Sequence, residues 1–345
     1  MSFDRYLREQ LRLHVSVTPT DIVKLCYQAA YGPEHLLEDT QSAKAMLEKE
    51  LGETSASDVP LYETISDDYV RINLAAWKKR ELPSAWLLEM FKASAVKSPT
   101  AAEKFEAYLT KAGTSLKRAG FSAQEWISFL ENYREEGIKP VHHSEVYREK
   151  EQPAYRVVSS HFVRLLPILE KVAETKSSPC VIAIDGRAAS GKTTMAKELS
   201  ALLKADVVQM DDFFLPKELR TPERLAEAGG NIHYERFEEE VLPFLHSGED
   251  FNYRLFSCHD LDYAGYRIVK AAKYIIVEGS YSMHPRFEEY ADVSVFSTVG
   301  QNEQQKRIFE RDGNAAFEFF KNKWIPMEEH YFDSFSIAEK CNVIV

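Results

Sequence analysis

The chain has 345 residues and a mass of 39.6 kDa, more than one hydrophobic core usually serves, so two domains are expected. Its 44% hydrophobic and 28% charged residues are ordinary for a globular protein and exclude disordered, collagen-like and coiled-coil classes. The 43 Lys and Arg against 54 Asp and Glu leave a net charge of −11, the wrong sign for a general nucleic-acid binder.

No apolar run approaches the roughly 20 residues of a membrane helix. The start, Met1-Ser2-Phe3-Asp4-Arg5, lacks the apolar core of a secretory signal. Cys26, Cys180, Cys258 and Cys341 lie far apart with no C-x-x-C spacing, which points away from zinc and from a disulfide framework. A cytoplasmic protein is expected.

Residues 1 to about 150 read as an all-α domain. In Asp21–Ala30, apolar side chains at 22, 25, 26 and 29 share one helix face. Comparable patterns recur at Ala43–Leu51, Trp86–Val96, Ala101–Leu109 and Gln124–Tyr133. Thr18-Pro19-Thr20-Asp21, Gly52, Ser98-Pro99-Thr100 and Gly113 supply caps and stops between them. Tyr31-Gly32-Pro33-Glu34-His35 reads as a helix-ending turn. The polar stretch Gly137–Pro153, with Pro140, His142 and His143, reads as a connector. With Tyr147-Arg148 and Tyr155-Arg156 the histidines could form a phosphate- or metal-binding cluster, but a hinge with solvated side chains is the favoured expectation. A helix from Ala154 to Thr175, kinked at Pro167, should follow.

The grammar changes at Cys180. Short apolar runs at Cys180–Asp185, Val207–Met210, Tyr274–Val277, Val293–Phe296 and Val343–Val345 alternate with helical stretches. Such runs indicate a parallel sheet covered on both faces. Residues 151–345 are therefore expected to be an α/β domain.

Gly186-Arg187-Ala188-Ala189-Ser190-Gly191-Lys192-Thr193 fits the phosphate-loop pattern G-x-x-x-x-G-K-[ST]. Its glycines let backbone N–H groups wrap around phosphate oxygens. Lys192 reaches the β- and γ-phosphates in this reading, and the Thr193 hydroxyl ligates Mg²⁺. The helix beginning near Thr194 adds its positive end. A strand, Val181-Ile182-Ala183-Ile184, precedes the motif and a helix, Thr194–Leu203, follows it, as the mechanism requires.

A kinase further needs a carboxylate near the acceptor hydroxyl, another on the metal side, and cations over the transferring phosphoryl group. The second strand runs into Asp211-Asp212-Phe213-Phe214, and Tyr274–Val277 runs into Glu278-Gly279. Ligands bind beyond the carboxyl ends of such strands. Side chains leaving a strand alternate, so one of the two aspartates should face the site and the other point away.

In combination, Asp185 to Thr194, Met210–Phe214, Ile276–Gly279 and Arg307-Ile308-Phe309-Glu310-Arg311-Asp312 resemble the uridine kinase and phosphoribulokinase family of P-loop kinases. The resemblance covers about residues 178–345. It implies ATP and Mg²⁺ as cofactors, Gly186 to Thr194 as the nucleotide loop, and Thr193 with Glu278 on the metal. It further implies Lys192 on the phosphates, Asp211 as general base, and Arg307 and Arg311 as lid arginines. On the acceptor side it points to Asp211, Phe214, His233, Tyr253 and Arg254. Here the chain departs from the pattern: Asn231-Ile232-His233-Tyr234 carries His233 where the family has an acidic ribose-binding residue, and Tyr253–Phe256 matches imperfectly.

The resulting expectation is a P-loop kinase acting on a hydroxyl of a nucleoside-like metabolite. Its partners would be a small-molecule acceptor, with neither nucleic acid nor membrane, and self-association is left open. The competing reading is an ATPase switch or ligand sensor using the helical half to bind a partner. Asp262–Gly265 and Asn322–Ile325 look superficially like guanine-nucleotide motifs, but the first precedes a strand and the second lacks the needed aspartate. Cys258 reads as a buried structural thiol.

Overall fold

Contacts divide the chain of this computed structural model into two units, Met1–Val163 and Arg164–Val345. The structure describes residues 3–33, 40–257 and 260–345; Glu34, His35 and Cys258, weighed above, lie outside the described residues.

Unit 1 is mostly helical: α1 (Phe3–Leu13), α2 (Pro19–Tyr31), α3 (Thr40–Glu53), β1 (Tyr62–Thr64), β2 (Tyr69–Asn73), α4 (Leu74–Lys79), α5 (Ser84–Ser94), α6 (Ala101–Arg118), α7 (Ala123–Glu135), α8 (Glu145–Glu151) and β3 (Tyr155–Ser159). Helix α2 starts where Thr18 and Asp21 cap each other, the Thr18 N–H reaching Asp21 Oδ2 at 3.0 Å. Its Ile22, Leu25, Cys26 and Ala29 join α1 and α6 in one core. The helical reading left out the antiparallel sheet β1-β2-β3.

Two expectations fail around the connector. Residues 155–159 pair with β2 instead of forming a helix, and α9 (Leu166–Glu174) begins only afterwards. Pro167 lies in the first turn of α9, where its missing N–H costs no intrahelical bond, so it starts the helix and kinks nothing. The hinge reading fails too: Tyr147 is buried, and His143 sits between Asp21 Oδ1 (2.8 Å) and the Tyr155 hydroxyl (2.7 Å). Unit 1 therefore runs to Val163, past the expected boundary at 150.

Unit 2 continues from α9 with β4 (Cys180–Gly186), α10 (Lys192–Leu203), β5 (Asp206–Gln209), α11 (Pro222–Ala226), α12 (Tyr234–Glu240), β6 (Phe251–Ser257), β7 (Asp262–Val269), β8 (Tyr274–Glu278), β9 (Val293–Ser297), α13 (Gln301–Phe319), α14 (Ile325–Phe335), α15 (Ile337–Lys340) and β10 (Val343–Ile344). The α/β expectation holds. Five strands form one parallel sheet in the order β10-β9-β4-β8-β5. Every residue of the central β4 is buried, as its continuous apolar run requires. Strands β6 and β7 make a separate antiparallel hairpin.

The chain leaves β4, β5, β8 and β9 at one edge of the sheet. Crossing hydrogen bonds hold these exits together: Gly279 N to Ile184 O at 3.0 Å and Arg187 N to Ser297 O at 3.1 Å. This edge carries the site.

Candidate active site at the strand ends of unit 2

Gly186 ends β4 with a φ of +135°, and a Cβ there would lie 2.0 Å from the Ser297 carbonyl oxygen. Only glycine permits both the conformation and the approach. Gly191, at φ +98°, turns the loop into α10. The first N–H groups of that helix have no intrahelical carbonyl to bond, so they form a ready anion seat. Lys192 folds back over the loop, its ammonium donating to Gly186 O (2.7 Å) and Arg187 O (2.9 Å).

Residues far away in sequence pin the loop. Glu328 of α14, 7% exposed, accepts from Ala188 N (2.9 Å) and from the Ser280 hydroxyl (2.7 Å). Glu329 grips Arg187 through Nε and Nη2 at 2.6 and 2.8 Å. Asp185 is fully buried and accepts from the N–H groups of Gly186, Tyr281 and Met283 and from the Tyr331 hydroxyl. It fastens the end of β4 to the segment after β8. Burial raises the pKa of both Asp185 and Glu328, against the pull of those donors and of Lys192.

A cavity of about 910 Å³ opens over the loop, lined by Ala188, Ala189, Gly191, Lys192, Thr193 and Thr194. Asp211 and Glu278 face it from the ends of β5 and β8, and Arg307 and Arg311 face it from α13. Of the loop residues expected at the nucleotide, Gly186, Arg187 and Ser190 stand behind this lining, and Arg187 is engaged with Glu329 and Thr298.

Met210–Phe213 form a 3₁₀ turn, not an extended exit from the strand. With three residues per turn, neighbouring side chains diverge by about 120°. Asp211 thus opens into the cavity, whereas Asp212 is buried and accepts from the Tyr253 hydroxyl at 3.0 Å, with Arg267 Nε at 3.8 Å. Water reaches the Asp211 carboxylate through the cavity, yet protein walls surround it. Those walls raise its pKa, while Lys192 and Arg311 oppose the rise. Glu278 is pushed up to about 7, chiefly by burial and then by the nearby Asp211 charge. Its Oε2 lies 3.4 Å from the Thr193 hydroxyl.

On the acceptor side the structure gathers different residues from those expected. Phe214 does line the cavity, with its ring centroid 5.6 Å from that of Trp324. His233 does not: it caps α12, its Nδ1 accepting from Arg236 N at 3.2 Å. Tyr253 is 1% exposed and anchors Asp212, and Arg254 is bound by Glu240 and covers the Tyr263 ring. These three side chains are spoken for elsewhere. In their place the cavity has Arg164, Arg220, Tyr281, Phe319, Phe320 and Trp324, none of which carries a motif signal.

The donor set suits a nucleotide with a divalent cation. A hydroxyl and two carboxylates are hard oxygen ligands of the kind Mg²⁺ takes with waters, and the loop, lysine and helix start suit phosphate.

No model of a protein family matches the sequence, and no curated protein matches it. Solved structures do. One, described as a possible uridine kinase from Bacillus stearothermophilus, is 18% identical, with a TM-score of 0.42 over 53% of this chain and 97% of that one. Another, described provisionally as a fructose transport system kinase from Silicibacter sp. TM1040, is 20% identical, with a TM-score of 0.43 over 52% of this chain and 96% of that one.

Proposed function

We propose that unit 2 is an ATP- and Mg²⁺-dependent kinase that phosphorylates a hydroxyl group of a small metabolite, a nucleoside or a compound of similar build. The observation that carries this reading is the convergence of Lys192, Asp211, Glu278, Arg307 and Arg311 on one cavity above the loop. A simple nucleotide switch has no use for a carboxylate at the acceptor position.

Each group then has a task. The α10 start and Lys192 hold the phosphates, with Lys192 exchanging its carbonyl partners for phosphate oxygens. Thr193 and Glu278 would hold Mg²⁺, which when bound would supply positive charge beside the phosphates. Asp211 accepts the proton of the attacking hydroxyl, and its raised pKa brings it closer to working pH. Arg307 and Arg311 cover the developing phosphoryl charge. The aromatic wall of Phe214, Phe319, Phe320 and Trp324 favours an acceptor with a flat apolar face. His233, capping a helix outside the lining, is left out of ribose binding in this scheme.

The test is ADP release from the full chain with ATP, Mg²⁺ and a panel of nucleosides, sugars and other hydroxyl compounds. ADP release that depends on one acceptor class, and that is lost in Lys192→Ala and Thr193→Ala, is expected. ATP turnover indifferent to every acceptor would favour the switch reading instead.

A further inference from the structure

Unit 1 contains a second cavity, about 640 Å³, and its charges are arranged unusually. Arg71, on β2, reaches into it although only 5% of its surface is exposed. Its Nη1 donates to the Tyr6 hydroxyl (3.1 Å) and its Nη2 to Gln28 Oε1 (2.8 Å), both neutral oxygens. Nε, itself buried, has no hydrogen-bond partner among the described residues. The guanidinium lies 4.3 Å from the Tyr155 ring centroid and 5.7 Å from that of Tyr6. Among the described residues no carboxylate pairs with it. The guanidinium donates only to a phenol and an amide, and the Glu63 charge acts on it from beyond the Tyr6 hydroxyl; a buried charge without a direct partner is costly for a fold to keep.

The same cavity holds the opposite imbalance. Glu50 pairs with Arg156, Glu151 pairs with His14 at 2.7 Å and accepts from the Ser16 hydroxyl, and Glu53 lies 3.9 Å from Lys49. Glu63 makes no direct ion pair among the described residues; its Oε2 accepts from the Tyr6 hydroxyl, at 2.6 Å, with Arg71 beyond that phenol. One phenol thus joins an unpaired cation to an unpaired anion, and both face the same space.

From this arrangement we infer that the unit 1 cavity is a binding site for a small zwitterion, of which a free α-amino acid is the simplest. Its carboxylate pairs with the Arg71 guanidinium through N–H groups that Tyr6 and Gln28 leave free, an ion pair stronger than the neutral contacts there now. Its ammonium group lies against Glu63, on the acidic side of the cavity. The surrounding Glu50, Glu53 and Glu151 select against phosphates and other multiply charged anions. Tyr147 and Tyr155 supply apolar wall for a side chain. The inference does not depend on phosphoryl transfer in unit 2.

The experiment uses the full-length protein, titrated calorimetrically and followed by thermal unfolding. Its probes are a mixture of the common L-amino acids, then single ones, with acetate, methylammonium and inorganic phosphate as controls. Saturable binding of one or more amino acids, with little response to the three controls, is the expected result. Arg71→Gln should abolish the response if it folds. Glu63→Gln alters an exposed side chain, so folding is retained; a charge-assisted hydrogen bond of about 1.5–3 kcal/mol is lost, weakening affinity roughly ten- to hundredfold. The proposal is overturned if no amino acid binds, if acetate or phosphate binds as well as the best amino acid, or if Glu63→Gln leaves affinity unchanged.

Discussion

Replacing Asp211 by Asn separates base chemistry from binding. The side chain opens into the cavity and makes no hydrogen bond among the described residues, so an isosteric amide should leave the structure intact. What it removes is a proton acceptor, and a positioned acid or base typically contributes about 10²–10⁴-fold to rate. kcat should fall by that factor, which corresponds to about 3–5.5 kcal/mol of barrier. Nucleotide Kd should change little, because the phosphate grip lies on Gly186–Thr194. Removing a negative charge beside Lys192 and Glu278 should, if anything, tighten the nucleotide. Asp212→Asn should do the reverse. That carboxylate is buried, receives the Tyr253 hydroxyl and faces Arg267, so its neutralisation should cost about 1–3 kcal/mol of stability with a modest effect on kcat. The assay is ADP release with the acceptor found in the panel, alongside nucleotide titration and thermal melts of both variants. A nearly normal Asp211→Asn enzyme, or a folded but inactive Asp212→Asn enzyme, would refute the assignment.

Gly186→Ala should abolish nucleotide binding and lower the melting temperature, since the added methyl meets the Ser297 carbonyl at 2.0 Å in a φ region hostile to side chains; an unchanged melt with retained binding would contradict the crowded loop. Glu278 gives a pH signature. Its folded pKa of about 7 lies above its ordinary value of 4.5, so between those pH values the folded state holds the extra proton and stability falls as pH rises; melts of Glu278→Gln should lose that slope. Metal binding needs the carboxylate, so Mg²⁺ with nucleotide should release a proton near pH 6 and none above pH 8, which calorimetry in buffers of different ionisation enthalpy reads directly. A fragment of residues 164–345 should bind nucleotide, whereas 178–345 should fold poorly: it lacks Arg164 on the cavity wall and α9, whose Leu166, Ile168, Leu169 and Val172 are buried.

What the sequence made legible was local. β4 and β8 are apolar runs that end at Asp185 and Glu278, β9 is apolar but for Ser294 and Ser297, all three are buried throughout, and a glycine motif placed between a strand and a helix has a single mechanical reading. β2 was missed because Tyr69-Val70-Arg71-Ile72-Asn73 puts a charge in its middle, and nothing nearby shows that Tyr6 and Gln28 shelter it. β3 was missed because Val157 and Val158 suit a helix face as well as a strand until β2 is there to pair with. Around the phosphate loop the difficulty is distance along the chain. Glu328 meets Ala188 across 140 residues and Tyr331 meets Asp185 across 146, contacts that leave no period or spacing in the sequence. His233 and Tyr253 fell in segments of the right order but point to a helix cap and to Asp212, because direction is set by turns that the residue types alone do not specify.

The electrostatics of the cavity bear on the order of events at such a site. Burial raises the pKa of Asp185, Asp211, Glu278 and Glu328, that of Glu278 to about 7, so further negative charge nearby is opposed. A nucleotide would add several negative charges to this group. Lys192 cannot balance them alone, and the cavity's arginines are engaged in part elsewhere, Arg307 with Glu303, Arg311 with Asp312, Arg164 with Glu198 and Arg220 with the Leu215 carbonyl. Binding therefore requires the carboxylates to take up protons or a divalent cation to arrive with the phosphates. The first route leaves Glu278 neutral and unable to hold a metal, and Asp211 unable to accept a proton. The second leaves both ionised. On the proposed kinase reading, these carboxylates would thus favour the metal-bound nucleotide over the free one and would leave Asp211 able to act as the base in that complex.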